Sequence, residues 1–180
     1  EYQDLLRVSV ATAGNDHRLG ANEAPPAIIS MFLGEDLSDI LESYENGVEY
    51  VPVTRQQMET GVAAVPSFQK DTSDRNRTSP FAFTGNKFEF RMLGSASSIS
   101  DTNTVMNTIA ADAIGYIADQ LEGAEDVMAK AKEIIRDIVM KHKRIIFNGN
   151  NYSEEWVQEA ERRGLLNLKN TADAIPHLVD

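Results

Sequence analysis

From Lys87 to Leu93 the chain reads KFEFRML, with polar and apolar positions in strict alternation until Met92 and Leu93. On an extended strand Lys87, Glu89 and Arg91 fall on one side, and Phe88, Phe90 and Met92 on the other. Such a strand buries its apolar face and holds charges of both signs, roughly 6.6 Å apart, toward a cleft. The preceding run, SPFAF at 79–83, is joined to it by Thr84-Gly85-Asn86. Two aromatic-rich runs around a short glycine-containing loop predict a β-hairpin. Pro80 has no N–H to give a ladder, so it belongs at a strand start or a sheet edge.

Most of the remaining pattern is helical. Leu37, Ile40, Leu41 and Tyr44 predict a short amphipathic helix over 35–44, with acids in front and Asn46-Gly47 behind. Val105, Ile109, Ile114, Ile117 and Leu121 mark a long helix that starts at Ser100 or Asp101 and ends before Gly123. Val127, Met128, Ala131, Ile134, Ile135, Ile138 and Val139 line the apolar side of a second, over 124–142, and the two form a helical hairpin. Ser153 caps a third that runs through Arg163 to a stop at Gly164. A short helix or loop follows.

Residues 2–12 lean toward helix, and Ala27–Leu33 (AIISMFL) is a buried strand or a helix packed directly on the core. The intervening HRLGANEAPP, residues 17–26, is a loop by its glycine, asparagine and prolines. Val51 and Val53 alternate as in an edge strand beside Pro52, and the rest of 48–75 reads as a long surface excursion.

Composition narrows the classes. A chain of 180 residues, 42% hydrophobic and 25% charged, suits one globular domain. It has no apolar run long enough to span a bilayer, no secretory leader pattern and no cysteine. That excludes disulfides, thiolate metal sites and a cysteine nucleophile, and fits a cytoplasmic, reducing compartment. The chain opens on Glu1 rather than Met, as expected of a processed chain or a piece of a longer one. A formal net charge of −11 argues against non-specific nucleic-acid binding. A polyanionic ligand would need local cations, and Arg75, Arg77, Lys87 and Arg91 supply a cluster of them.

Each charged candidate has a plain reading beside its chemical one. Glu89, between two cations, is a structural ion-pair partner or a ligand for a hard metal. Arg91 and Lys87 hold an anion, as a fork and a point charge respectively, or merely balance Glu89. Arg77 is a phosphate contact or a surface residue. In the 17–26 loop, Glu23 pairs with Arg18, or it closes over a site and handles a proton. His17, His142 and His177 lack ligand spacing for zinc, and no GxSxG, P-loop or GxGxxG is present.

Read together, NRTSPFAFTGNKFEFRMLGS and the upstream GNDHRLGANEAPPAIISMFLG resemble the carboxy-terminal part of the catalytic domain of type III glutamine synthetases. The later KHKRIIFNGNNYSEEWVQEAERRGLLNLKNTADAIP is similar to the same family, so the resemblance covers essentially all 180 residues. It implies an α+β fold, an antiparallel sheet with helices packed outside, incomplete in this chain. Within one segment, 1–180, it implies an active-site loop at 17–26, a site hairpin at 76–93 and a mainly helical part at 101–180.

The implied activity is ATP-dependent ligation of ammonia to glutamate through a γ-glutamyl phosphate, with Mg2+ or Mn2+. The implied roles are proton transfer and shielding for Glu23, and contact with the substrate carboxylate or transferred phosphoryl group for Arg18. Glutamate binding passes to Arg91, nucleotide phosphate contacts to Arg77 and Lys87, and metal ligation to Glu89. Family members assemble into stacked rings, so a homo-oligomer is implied. This chain departs from the ordinary pattern by one residue fewer between Arg18 and Glu23, by Lys87 in place of an arginine, and by Ala82 where a further arginine is usual. The resemblance also leaves the other metal ligands to the remaining part of the catalytic domain, so the isolated segment is expected to be inactive. The alternative from another class is a non-catalytic assembly or regulatory module.

Overall fold

The structure, a computed structural model, describes residues 1–19, 24–52, 57–58, 61, 68–69 and 78–179. The alternating stretch becomes a strand only at its centre. Strands β4 (Phe81–Phe83) and β5 (Phe88–Phe90) pair antiparallel, with Ala82 opposite Glu89. Their turn is closed by Thr84 N–H donating to Lys87 O at 2.9 Å, and Gly85 takes φ +95° there. The ladder extends one step past β5, where Arg91 N–H donates to Pro80 O at 2.7 Å.

Strand β1 (Met31–Phe32) joins this hairpin on the β4 side and runs parallel to it, giving the order β1-β4-β5. The sheet is therefore mixed, not antiparallel as expected. Parallel neighbours need a long crossover, and helix α2 (Gly34–Asn46) lies in the connection between these two. That helix ends on Gly47 at φ +66°, a left-handed cap. The same connection carries a second small ladder, β2 (Gln57–Met58) with β3 (Phe68–Gln69), within the stretch expected to be a surface excursion. Val51 is exposed and outside any strand, and Val53 lies outside the described residues.

The apolar face of the hairpin is only partly covered. The rings of Phe81, Phe83, Phe88 and Phe90 pack on one another with centroids 5.2–5.9 Å apart. Phe88 nevertheless stays 46% exposed, against expectation, because it sits beside the turn at the end of the sheet. Met92 is fully buried, in a cluster with Val10, Leu19 and Ala27.

Helix α1 (Gln3–Ser9) precedes the 17–26 loop, and the two long helices expected next are present as α3 (Ser100–Leu121) and α4 (Val127–His142), in contact with each other. Asp126 caps α4, its Oδ1 accepting from Ala129 N–H at 2.9 Å, so the helix starts three residues later than predicted. Ile134 and Val139 are buried, but Val127 and Met128 at the helix start are exposed. Their apolar side meets solvent among the described residues. A 3-10 turn (Lys143–Ile145) leads to α5 (Glu154–Arg162), capped by Ser153, and then to two short helices, α6 (Thr171–Ala174) and α7 (Pro176–Val179).

Ala27 and Ile28 serve different cores, as neighbours on an extended chain must. Ala27 joins the Met92 cluster, while Ile28 packs with Trp156, Ala160 and Leu165. Isolated bridges from Ile28 to Asn167 and from Met31 to Ile146 bind the two halves of the chain at this seam.

Candidate active site

Of the six residues expected to carry chemistry, Arg18, Lys87, Glu89 and Arg91 are described; Glu23 and Arg77 lie outside the described residues. Lys87 and Glu89 face each other along β5, Nζ to Oε1 at 3.3 Å. Both side chains remain open to solvent, 65% and 40%, so the contact is a weak, screened one and leaves Glu89 available for another cation. Across the ladder from Glu89 stands Ala82, fully buried. Glu89 thus has no cationic neighbour at its paired position on β4.

Arg91 follows β5 directly. Its Nη2 donates to Thr78 Oγ1 at 3.3 Å, which ties its guanidinium to the start of the hairpin. Its main-chain oxygen accepts from both Nη1 and Nη2 of Arg18, at 3.2 and 3.1 Å. The guanidinium of Arg18 therefore spans from the loop to the strand end and grips backbone there. The structure brings Arg18 and Arg91 together and places Glu89 on β5 with Lys87 directly before that strand.

The stretch just before the loop is held by side chains that the sequence reading did not single out. Asn15, buried, donates through Nδ2 to Val10 O and to Met92 O, both at 2.9 Å. Asp16 accepts from the N–H and the hydroxyl of Thr171, at 3.0 and 2.9 Å. Gly14, Asn15 and Asp16 are turn-forming residue types, but nothing local in the sequence marks the partners of Asn15 and Asp16. Met92 and Thr171 stand far along the chain.

Among the described residues, no group of three or more His, Asp or Glu side chains is arranged to hold a metal ion. Glu89 offers one carboxylate, suited in chemistry to a hard cation but short of the oxygens such an ion needs. A cavity of about 340 Å3 opens between α2 and α4 beside Ser38, Leu41, Glu45, Val139 and Lys143. It touches none of the expected site residues. No helix among the described residues is long and apolar enough to cross a membrane.

Residues 130–180 match the family model described as glutamine synthetase C-terminal domain. The whole chain also aligns with longer proteins: 44% identity to a type-3 glutamine synthetase of Dictyostelium discoideum over 98% of this chain, and 45% to a glutamine synthetase of Butyrivibrio fibrisolvens over 99%. A glutamine synthetase of Bacteroides fragilis is 42% identical over 99% of the chain. The chain is thus similar over nearly its whole length to one stretch of these glutamine synthetases. It spans about a quarter of the length of each of these relatives, 24% to 26%. Three quarters of the relatives' length lies outside the matched stretch.

Proposed function

We propose that this chain forms one side of the active site of a glutamate–ammonia ligase and works as part of a longer protein. Support comes from one juxtaposition: Arg18 of the 17–26 loop grips the main-chain oxygen of Arg91, two residues from Glu89 and four from Lys87. In this reading the γ-carboxylate of glutamate attacks the γ-phosphorus of ATP and ADP leaves. Ammonia then attacks the acyl carbon of the γ-glutamyl phosphate, and inorganic phosphate leaves.

Arg91 binds the glutamate carboxylate as a fork. Lys87 and Arg77 hold nucleotide phosphates. Arg18, near Arg91, reaches the substrate carboxylate or the phosphoryl group in transfer. Glu23 takes the proton given up by ammonium and shields the acyl phosphate from water. A bound Mg2+ or Mn2+, with Glu89 as one ligand, would neutralise charge on the transferring phosphoryl group. The remaining ligands come from the rest of the longer protein, so the isolated 180 residues are inactive. The working protein is a cytoplasmic homo-oligomer of stacked rings.

Glu89→Ala in the full-length protein tests this. Loss of glutamine formation by at least about a hundredfold is expected, a size ordinary for removal of a transition-state charge stabiliser; a variant of near wild-type rate would sink the assignment. A second reading, a non-catalytic assembly or regulatory module, draws on the single site carboxylate seen among the described residues. An acidic metal-binding cluster upstream of Glu1 in one continuous reading frame would remove it.

A further inference from the structure

We infer that Asn15 is a positioning residue for the glutamate-binding edge, an assignment that rests on the ligase reading above. Past Phe90 the chain leaves regular structure, and Arg91 N–H to Pro80 O is the last rung of the ladder. What fixes the course of the next residues is the loop. Arg18 takes the carbonyl of Arg91, and Asn15 takes the carbonyl of Met92 at 2.9 Å, so two successive main-chain oxygens are held by residues three apart. The other bond from Asn15 Nδ2, to Val10 O at 2.9 Å, anchors the same amide to the end of α1.

The side chain is 1% exposed, and its Oδ1 is buried without a hydrogen-bond partner among the described residues. A leucine of similar volume would avoid that desolvation cost but would leave two carbonyls without their donor. The amide is therefore held in place by what its nitrogen does. Gly94 lies against the same amide: a Cβ there would stand 3.1 Å from Asn15 Oδ1, tighter than about nine in ten real contacts, so the amide would have to shift by a few tenths of an ångström. A side chain at 94 would press on the amide whose Nδ2 holds both carbonyls.

Asn15 touches no proposed substrate position, and its effect passes through the backbone next to Arg91. In the full-length protein, Asn15→Leu is expected to raise KM for glutamate about tenfold while KM for ATP stays within about twofold, as for a displaced substrate contact. Gly94→Ala, which crowds Oδ1 without removing it, is expected to raise the same KM about threefold and serves should the leucine variant fail to fold. Equal shifts in both KM values, or no shift in glutamate KM in a folded variant, would overturn the inference while the wild-type activity stands. A full-length wild type that makes no glutamine overturns the ligase reading first, and the positioning role with it.

Discussion

Phe147 and Trp156 lie face to face, ring centroids 3.7 Å apart and planes within 10°. Trp156 is buried among Ile28, Ala160 and Leu165, and the guanidinium of Arg163 lies 5.5 Å above its ring. Trp156→Ala should therefore cost about 3–5 kcal/mol, the range for emptying a large aromatic site. Trp156→Phe should cost clearly less, since Nε1 has no acceptor to lose among the described residues. Denaturant unfolding, with hydrogen exchange followed across 144–165, measures both. Equal losses would mean that packing of the ring does not dominate here.

Gly149 stands under the same pair. A Cβ at this position would come 2.7 Å from Phe147 Cζ and 3.0 Å from Cε2. The ring cannot swing aside freely because Trp156 covers it. Gly149→Ala is expected to destabilise by about 1–3 kcal/mol, as overpacking does, read as a lower unfolding midpoint. A neutral substitution would show that the stack is looser than its geometry.

Glu159 carries a pH dependence. Its carboxylate accepts from Arg162 at 2.7 and 2.8 Å and from Arg163 at 2.6 Å, and these bonds lower its pKa to about 2. A carboxyl depressed in the folded state stabilises fully above its unfolded value near 4.5, and the contribution fades as pH falls toward about 2. Amide protection of α5, corrected for intrinsic exchange, should fall as pH drops from 5 to 3. Glu159→Gln should flatten that dependence. A variant with the wild-type slope would assign the loss to other carboxylates.

Lys87 separates binding from stability. Its contact with Glu89 is exposed, so Lys87→Met should change stability by no more than about 0.5 kcal/mol. If Lys87 holds nucleotide phosphate, KM for ATP in the full-length protein should rise about tenfold, the loss of one charge-assisted contact. An unmoved KM for ATP would return Lys87 to the role of counter-charge for Glu89.

The hairpin was legible because period-two alternation marks a strand and a short glycine loop joins it to its neighbour. Alternation does not name a third strand. The parallel partnership of β1 with β4 depends on a crossover of dozens of residues, and AIISMFL by itself left strand and helix both open. The apolar side of α4 was read correctly at Ile134 and Val139, yet Val127 and Met128 are exposed. Periodicity tells which side is apolar, not whether anything lies opposite. Lys87, Glu89 and Arg91 stood out as candidates by spacing alone. Asn15 did not, because one of its two carbonyl partners lies 77 residues away.

The hairpin bonds alternate, with Arg91 N–H donating to Pro80 O at one end and Thr84 N–H to Lys87 O at the other, so Ala82 and Glu89 turn their backbone groups toward each other. Phe88 and Phe90 must then turn theirs outward, and among the described residues no strand lies beyond β5. The sheet has a direction of growth. A strand laid along that rim from elsewhere would bring every second side chain onto the face of Glu89, so an acidic residue at alternate positions of such a strand would stand next to the carboxylate that this segment provides.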